Sequence, residues 1–265
     1  MPNETDELYF LPLEKKVRKA NELIQKSRFD LSLQQQKIIL FLISQISPFD
    51  ENFKTYNFDI REFCRICGID FDNGRNYELL KEQIKKIADK SMWLMLDDDT
   101  ESLIRWIEKP RIKKKSGIIQ IRLDEDLKPY LLQLRRNFTQ YEIIYTLNFK
   151  SKYTIRLYEL VKSIHFHDLE PYKRTFTVDE LKRILGAENY KTYQHFKDRA
   201  LNPAVKEINN FSDKNVSYTC VKTGKRITGI TLTVESKEPN EIAKISAEIE
   251  KSLAPNQMLF SGAEW

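Results

Sequence analysis

A displacement of 118 positions lays one long stretch of this chain over another without a gap. Ile39, Leu42, Ile43 and Ile46 fall on Leu157, Leu160, Val161 and Ile164. Phe58-Asp-Ile-Arg-Glu-Phe-Cys-Arg-Ile-Cys-Gly68 falls on Phe176-Thr-Val-Asp-Glu-Leu-Lys-Arg-Ile-Leu-Gly186. An internal repeat on this scale restricts the fold more than local propensity does, because each copy must bury a core of its own. The apolar spacing predicts helices over Leu33–Ser47 and Ser151–Ile164. Asp59 with Glu62, and Thr177 with Glu180, have the form of helix starts, an oxygen at the cap and a carboxylate three residues later. Gly68 and Gly186 then end each short helix where a left-handed residue costs least.

A longer amphipathic helix follows in each copy. In the first it spans Arg75–Lys90, with Tyr77, Leu80, Ile84 and Ile87 inward. In the second it lies within Asn189–Asn209, with Tyr193, Phe196, Ala200, Leu201, Ala204 and Ile208 on one side. Two strands come next. The first pair is read as Ser91–Leu96 and Ser102–Ile121, broken at Ser116-Gly117. The second is Val216–Val221 and Ile227–Val234, around Lys222-Thr-Gly-Lys-Arg226. Two helices meeting at a tight turn, backed by a third and followed by a hairpin, make a winged helix-turn-helix. The expected fold is therefore α+β, two tandem winged helix-turn-helix domains related by internal duplication. The expected divisions are a flexible arm over 1–14, a first domain over 15–134, a second over 135–235 and a C-terminal tail over 236–265. Asn202-Pro203 predicts a kink or break in the key helix, since proline removes a backbone donor and crowds the preceding turn. Tyr190–Leu201 is then the piece expected to insert.

Charge bears on what these domains touch. The net charge is +5 and the pI about 8.9, but Glu235–Trp265 carries three basic and six acidic residues, so the first 234 residues hold +8. A basic body suits nucleic acid, an anionic membrane surface or an acidic partner. The outward face of the second long helix offers Lys191, Gln194, His195, Lys197, Arg199, Asn202 and Lys206. Arg199 can fork onto guanine, Gln194 or Asn202 can pair with adenine, and Lys191, Lys197 and Lys206 suit phosphates. His195 reads equally well as a plain surface residue. Lys222, Lys225 and Arg226 sit at the hairpin tip, where Gly224 permits the turn. In the first domain Arg75 belongs to a helix face of mixed sign, with Lys85 and Lys86 beside Glu78, Glu82 and Asp89. Its hairpin is more basic: Lys109, Arg111, Lys113, Lys114 and Lys115 occur with no anion between them. Base reading is thus assigned mainly to domain two and phosphate gripping to the wing of domain one.

No run of 18 apolar residues occurs, the N-terminus is acidic rather than signal-like, and three Cys make a poor disulfide framework. A cytoplasmic protein without a membrane role is expected.

Three motifs now carry a resemblance. Ser151-Lys-Tyr-Thr-Ile-Arg-Leu-Tyr-Glu-Leu-Val161 resembles the signature of iteron-binding plasmid replication initiators. So do Val17-Arg-Lys-Ala-Asn-Glu-Leu-Ile24 with Leu31-Ser-Leu, and Leu201-Asn-Pro-Ala-Val-Lys-Glu-Ile-Asn209. The likeness runs from about Val17 to Val234. It implies two winged helices binding repeated double-stranded DNA sites at a plasmid origin in a bacterium. It also implies a homodimer, formed through the first domain, that represses the protein's own gene. The host partners it implies are initiator, helicase and sliding clamp, and it implies no catalytic centre and no cofactor.

Other chemistry has been weighed against this. His165-Phe-His167, upstream of Tyr190 and Tyr193, has the form of a rolling-circle nicking motif, but it ends a helix where that motif belongs on a central strand. Cys64 and Cys67 have zinc or redox spacing with no second pair, and Cys220 stands apart, so no metal site is expected. No phosphate-cradling glycine loop occurs. Glu241–Leu253 is weakly amphipathic, and Gln257-Met-Leu-Phe260 resembles a short clamp-binding peptide or else a frayed end. Two binding alternatives remain: a transcriptional repressor with the same domains, and an adaptor whose basic wings meet acidic proteins.

Overall fold

The computed structural model describes residues 15–61, 75–113, 116–165 and 171–253. The chain divides into two compact units, Met1–Ile143 and Ile144–Trp265.

In the first unit, β1 (Lys16–Ala20) leads into α1 (Asn21–Lys26), β2 (Ser27–Arg28) and α2 (Leu33–Ser44). The α2 start is fixed twice: Gln35 N–H donates to Ser32 Oγ, and Ser32 N–H donates to Gln35 Oε1. Every residue from Ile38 to Ile43 is buried. A helix apolar all round must sit at the centre, and α2 is this unit's core. β3 (Tyr56–Asp59) brings Phe58 against Phe41, ring centroids 4.9 Å apart. The amphipathic α3 (Arg75–Ala88) buries Leu80, Ile84 and Ile87. Asp59 accepts from Arg61 N–H at 2.8 Å, while Glu62, Cys64, Cys67 and Gly68 lie outside the described residues.

The strands after α3 differ from the expected pair. Ser91–Met95 (β4) pairs with Glu101–Arg105 (β5), and β4 also pairs with β2. The chain then starts a second hairpin, β6 (Ile107–Lys113) with β7 (Ile118–Leu123), which joins β3 in the order β3-β7-β6. The stretch read over Ser102–Ile121 with a break at Ser116-Gly117 is therefore three strands: that break is the β6–β7 turn, and a second one, unread, falls at Trp106. Trp106 and Ile107 are both buried. A strand of period two cannot bury two successive side chains on one face, so the chain changes sheets there. Lys109-Pro110 lies in a bulge of β6, an edge strand, where the missing proline N–H costs no ladder bond. After a single helical turn, α4 (Lys128–Leu131), β8 (Phe138–Glu142) returns to pair with β1. That pairing keeps β8 with β1 in the first compact unit, which ends at Ile143.

The second unit repeats the plan. After the short α5 (Ile144–Leu147) comes α6 (Lys152–Ile164), capped by Ser151 Oγ on Tyr153 N–H and buried along most of its length. β9 (Tyr172–Thr177) precedes α7 (Val178–Leu185), whose start is the expected reciprocal pair of Thr177 and Glu180. Gly186 ends it at φ 66°, ψ 39°, the left-handed conformation glycine adopts without a Cβ clash. β10 (Lys214–Thr223) and β11 (Arg226–Ser236) complete the sheet β10-β11-β9, the counterpart of β6-β7-β3. Among the described residues β4 and β5 have no counterpart in the second copy and form an insert in the first. The last helix, α8 (Pro239–Leu253), buries Ile245 and Ile249 within the second unit.

Candidate nucleic-acid interface

The second long helix is built to present one polar face. Thr192 Oγ1 accepts from His195 N–H at 3.2 Å, and the helix runs unbroken from Tyr193 to Phe211. Of the kink or break expected at Pro203, the break is absent, and the irregularity is a distorted turn just before it. Lys197–Leu201 forms a wide turn in which Asn202 N–H reaches Lys197 C=O, five residues back. Widening the turn moves carbonyls away from the proline ring and absorbs the missing N–H without ending the helix. The helix also begins later than expected, so Lys191 stands on the loop before it.

Inward, Phe196, Ala200, Leu201, Ala204 and Ile208 are fully buried and fix the helix by packing. Polar bonds fix its rotation. Glu207 Oε2 accepts from Lys150 N–H, Ser151 N–H and Thr154 Oγ1–H at 3.0, 3.4 and 2.7 Å, tying it to the start of α6. Asn209 exchanges two bonds with Val216, at 2.9 and 2.7 Å, and so pins the helix end to the start of β10. The loop leading in is held by Lys182 Nζ, which donates to Tyr190 C=O at 2.7 Å and lies 5.9 Å from the Phe196 ring centre. Arg156, buried, donates to Ile184 C=O at 2.8 Å; burial lowers its pKa to about 10 against the opposing pull of Glu159 and Glu188, so it stays charged. Below the sheet, burial raises the Asp213 pKa, but the Lys162 ammonium at 2.7 Å, the Tyr158 hydroxyl and Lys214 outweigh it and hold the carboxyl below its ordinary value.

Outward, Lys191, Gln194, His195, Arg199, Asn202 and Lys206 are exposed and Lys197 is half-buried. Lys222, Lys225 and Arg226 are exposed at the tip of the β10–β11 hairpin. Gly224 holds that turn at φ 62° with open space around it. Two candidate base readers are already engaged. Gln194 Nε2 donates to Asp198 Oδ2 at 2.7 Å, and Tyr218 Oη donates to Asn202 Oδ1 at 2.6 Å. Tyr193, read as an inward residue, is half-buried with its hydroxyl 3.0 Å from Cys220 Sγ. Tyr218 and Cys220 were missed as part of this face. Their spacing of two along β10 was the available signal, since it puts both on the side of the sheet beside the helix.

In the first unit Lys109, Arg111 and Lys113 alternate outward along β6 and are exposed. Lys114, Lys115 and the Arg75 side chain lie outside the described residues, as do His167 and Gln257–Phe260. Among the described residues no group of three or more His, Cys, Asp or Glu is placed to hold a metal ion, and no helix is long and apolar enough to cross a membrane.

Comparison with known proteins decides the family. A model described as initiator replication protein, WH1, matches residues 16–162, and one described as initiator Rep protein, WH2, matches residues 177–234. The chain belongs to the initiator Rep protein family. Both winged-helix domains of such an initiator are thus present, as the duplication and the sheet orders had indicated. The first match runs on through α6, which packs in the second unit. A replication initiation protein of Escherichia coli is 26% identical over 227 residues, covering 83% of this chain and 69% of that one. The crystal structure of the Pi initiator protein in complex with iteron DNA superposes with a TM-score of 0.66 at 21% identity. It covers 86% of this chain and 100% of that chain.

Proposed function

We propose that this initiator Rep protein binds repeated double-stranded DNA sites at a plasmid origin and starts replication there by contact, without cutting DNA. The observation that carries the reading is the exposed polar face of Tyr193–Phe211, anchored from behind by Glu207 and Asn209 and flanked by a hairpin tip bearing Lys222, Lys225 and Arg226. A helix held this rigidly with long cationic and amide side chains outward suits a major groove, and the tips suit phosphates. The likeness to a Pi initiator solved with iteron DNA supports the choice of ligand. Footprinting on DNA flanking the gene tests it: protected direct repeats are expected, and uniform binding without protection refutes it. The same repeats placed on an origin fragment separate initiator from repressor, since only an initiator makes the fragment replicate. Metal-dependent nicking of single-stranded DNA is expected to be absent.

The proposal extends to a homodimer formed through the first unit. Trp93 and Leu103 are cross-strand partners on β4 and β5, and they are 48% and 53% exposed. β5 is an edge strand, so an apolar pair lies beside unpaired backbone of the kind a second copy can cover. In that form the protein represses its own gene, while monomers engage the origin and recruit host initiator, helicase and clamp. Sedimentation of Leu103→Lys is the test; a dimer that survives the change refutes this surface.

A further inference from the structure

Asn202 is exposed, stands in the recognition helix, and is held by a residue from another element. The Tyr218 hydroxyl on β10 donates to its Oδ1 at 2.6 Å. An asparagine amide that nothing holds can present either its oxygen or its NH2 outward. With Oδ1 accepting from a phenol O–H, the end of the amide left to meet a ligand is Nδ2, a donor.

We infer that Tyr218 is a specificity-determining positioning residue: by locking the Asn202 amide with its NH2 outward, it makes this position read a hydrogen-bond acceptor and reject cytosine. The inference rests on the DNA-binding reading above and adds which edge one residue reads. In the major groove guanine offers the acceptors N7 and O6, adenine the acceptor N7 beside its N6 donor, and thymine the acceptor O4, whereas cytosine offers only its N4 donor. A fixed NH2 facing the N4 amino group sets donor against donor.

The surroundings keep the lock in this sense. Burial raises the pKa of Tyr218, and Cys220 and Asp198 add to the effect, so the phenol retains the proton it donates. Tyr193 stands beside the arrangement, with its hydroxyl 3.0 Å from Cys220 Sγ. Asp198, one turn earlier, is paired with Gln194, two turns earlier, and neither competes for Asn202.

The experiment uses the full chain and duplex DNA carrying the footprinted repeat, with each position varied through all four bases. Binding by competition is measured for the wild type, Tyr218→Phe and Asn202→Ala, with melting temperatures compared to confirm folding. In the wild type, cytosine at one position is expected to weaken binding by about tenfold or more, the scale of one lost base contact. Asn202→Ala is expected to erase the preference at that position alone. Tyr218→Phe, whose freed amide can turn its oxygen to N4, is expected to bring the cytosine penalty there below about threefold, with other positions and the salt dependence unchanged. A Tyr218→Phe profile identical to wild type overturns the inference, as does a loss spread evenly over all sites, which marks a purely structural role. A wild type with no base preference anywhere instead overturns the DNA-reading proposal on which it stands.

Discussion

Removing the three cations at the second hairpin tip, by Lys222→Ala, Lys225→Ala and Arg226→Ala together, should change how binding responds to salt more than it changes the protein. All three side chains are exposed, and the turn itself is set by Gly224, which is left in place. Exposed substitutions of this kind shift stability by no more than about 0.5 kcal/mol, so the melting temperature should barely move. The effect on DNA follows from counterion release, in which each neutralised phosphate contributes about −0.9 to the slope of log K against log salt. If all three cations contact phosphates, the triple variant has a slope shallower by about 2.7. Between 50 and 200 mM salt, that difference amounts to a salt-induced loss about 40-fold smaller than the wild type suffers. Fluorescence anisotropy titrations across a salt series read the slope directly. A slope within one unit of wild type would show that the tip does not lie along a phosphate strand, and the wing assignment would fail. A loss confined to one DNA sequence would equally refute it, because phosphate contacts carry no base information.

Arg199→Ala should weaken specific binding by about 1–3 kcal/mol and relax preference at one base if the guanidinium forks onto guanine, read by competition with variant sites; an even loss over all sequences would make it a phosphate contact. Asp213→Asn should cost about 3–5 kcal/mol in urea unfolding at neutral pH, because it leaves the Lys162 ammonium without its carboxylate. Since the folded Asp213 pKa is depressed, its contribution is complete above the ordinary carboxylate value of 3.8 and is lost as pH falls through the lower folded value; the variant should therefore show a flatter acid limb. Phe196→Ala empties a fully buried site on the inner side of the second long helix and should lower stability by about 3–5 kcal/mol by calorimetry. Thr177→Ala removes one half of a reciprocal cap and should cost about 1 kcal/mol in the same measurement.

The duplication and the helix faces were legible because burial imposes a period on the sequence. Ile39, Leu42, Ile43 and their counterparts 118 positions on are all buried, as are Phe196, Ala200, Leu201, Ala204 and Ile208. What escaped was of two kinds. The β4–β5 insert broke the repeat where both copies were already strand-like, and alternation alone does not say which strand pairs with which. Trp106 followed by Ile107 was the only mark of the crossing, and a local apolar pair is easily absorbed into a longer strand. The Tyr218–Asn202 and Gln194–Asp198 bonds depend on side-chain reach between neighbours in space. Periodicity placed Asn202 on the outward face, where it is exposed, but could not show that its oxygen accepts from Tyr218.

The wide turn at Lys197–Leu201 holds more residues than an ordinary turn for the same rise, so it rephases everything after it. Removing the extra residue there would restore regular winding and leave the downstream half facing as before, whereas regular winding with that residue kept would swing the downstream half through about 100°, the rotation of one helical residue. Lys206 would turn away from the side shared with His195 and Arg199, and Asn209 would lose its alignment with Val216. Whether this turn is wide or regular therefore sets the bearing of the polar surface that follows it.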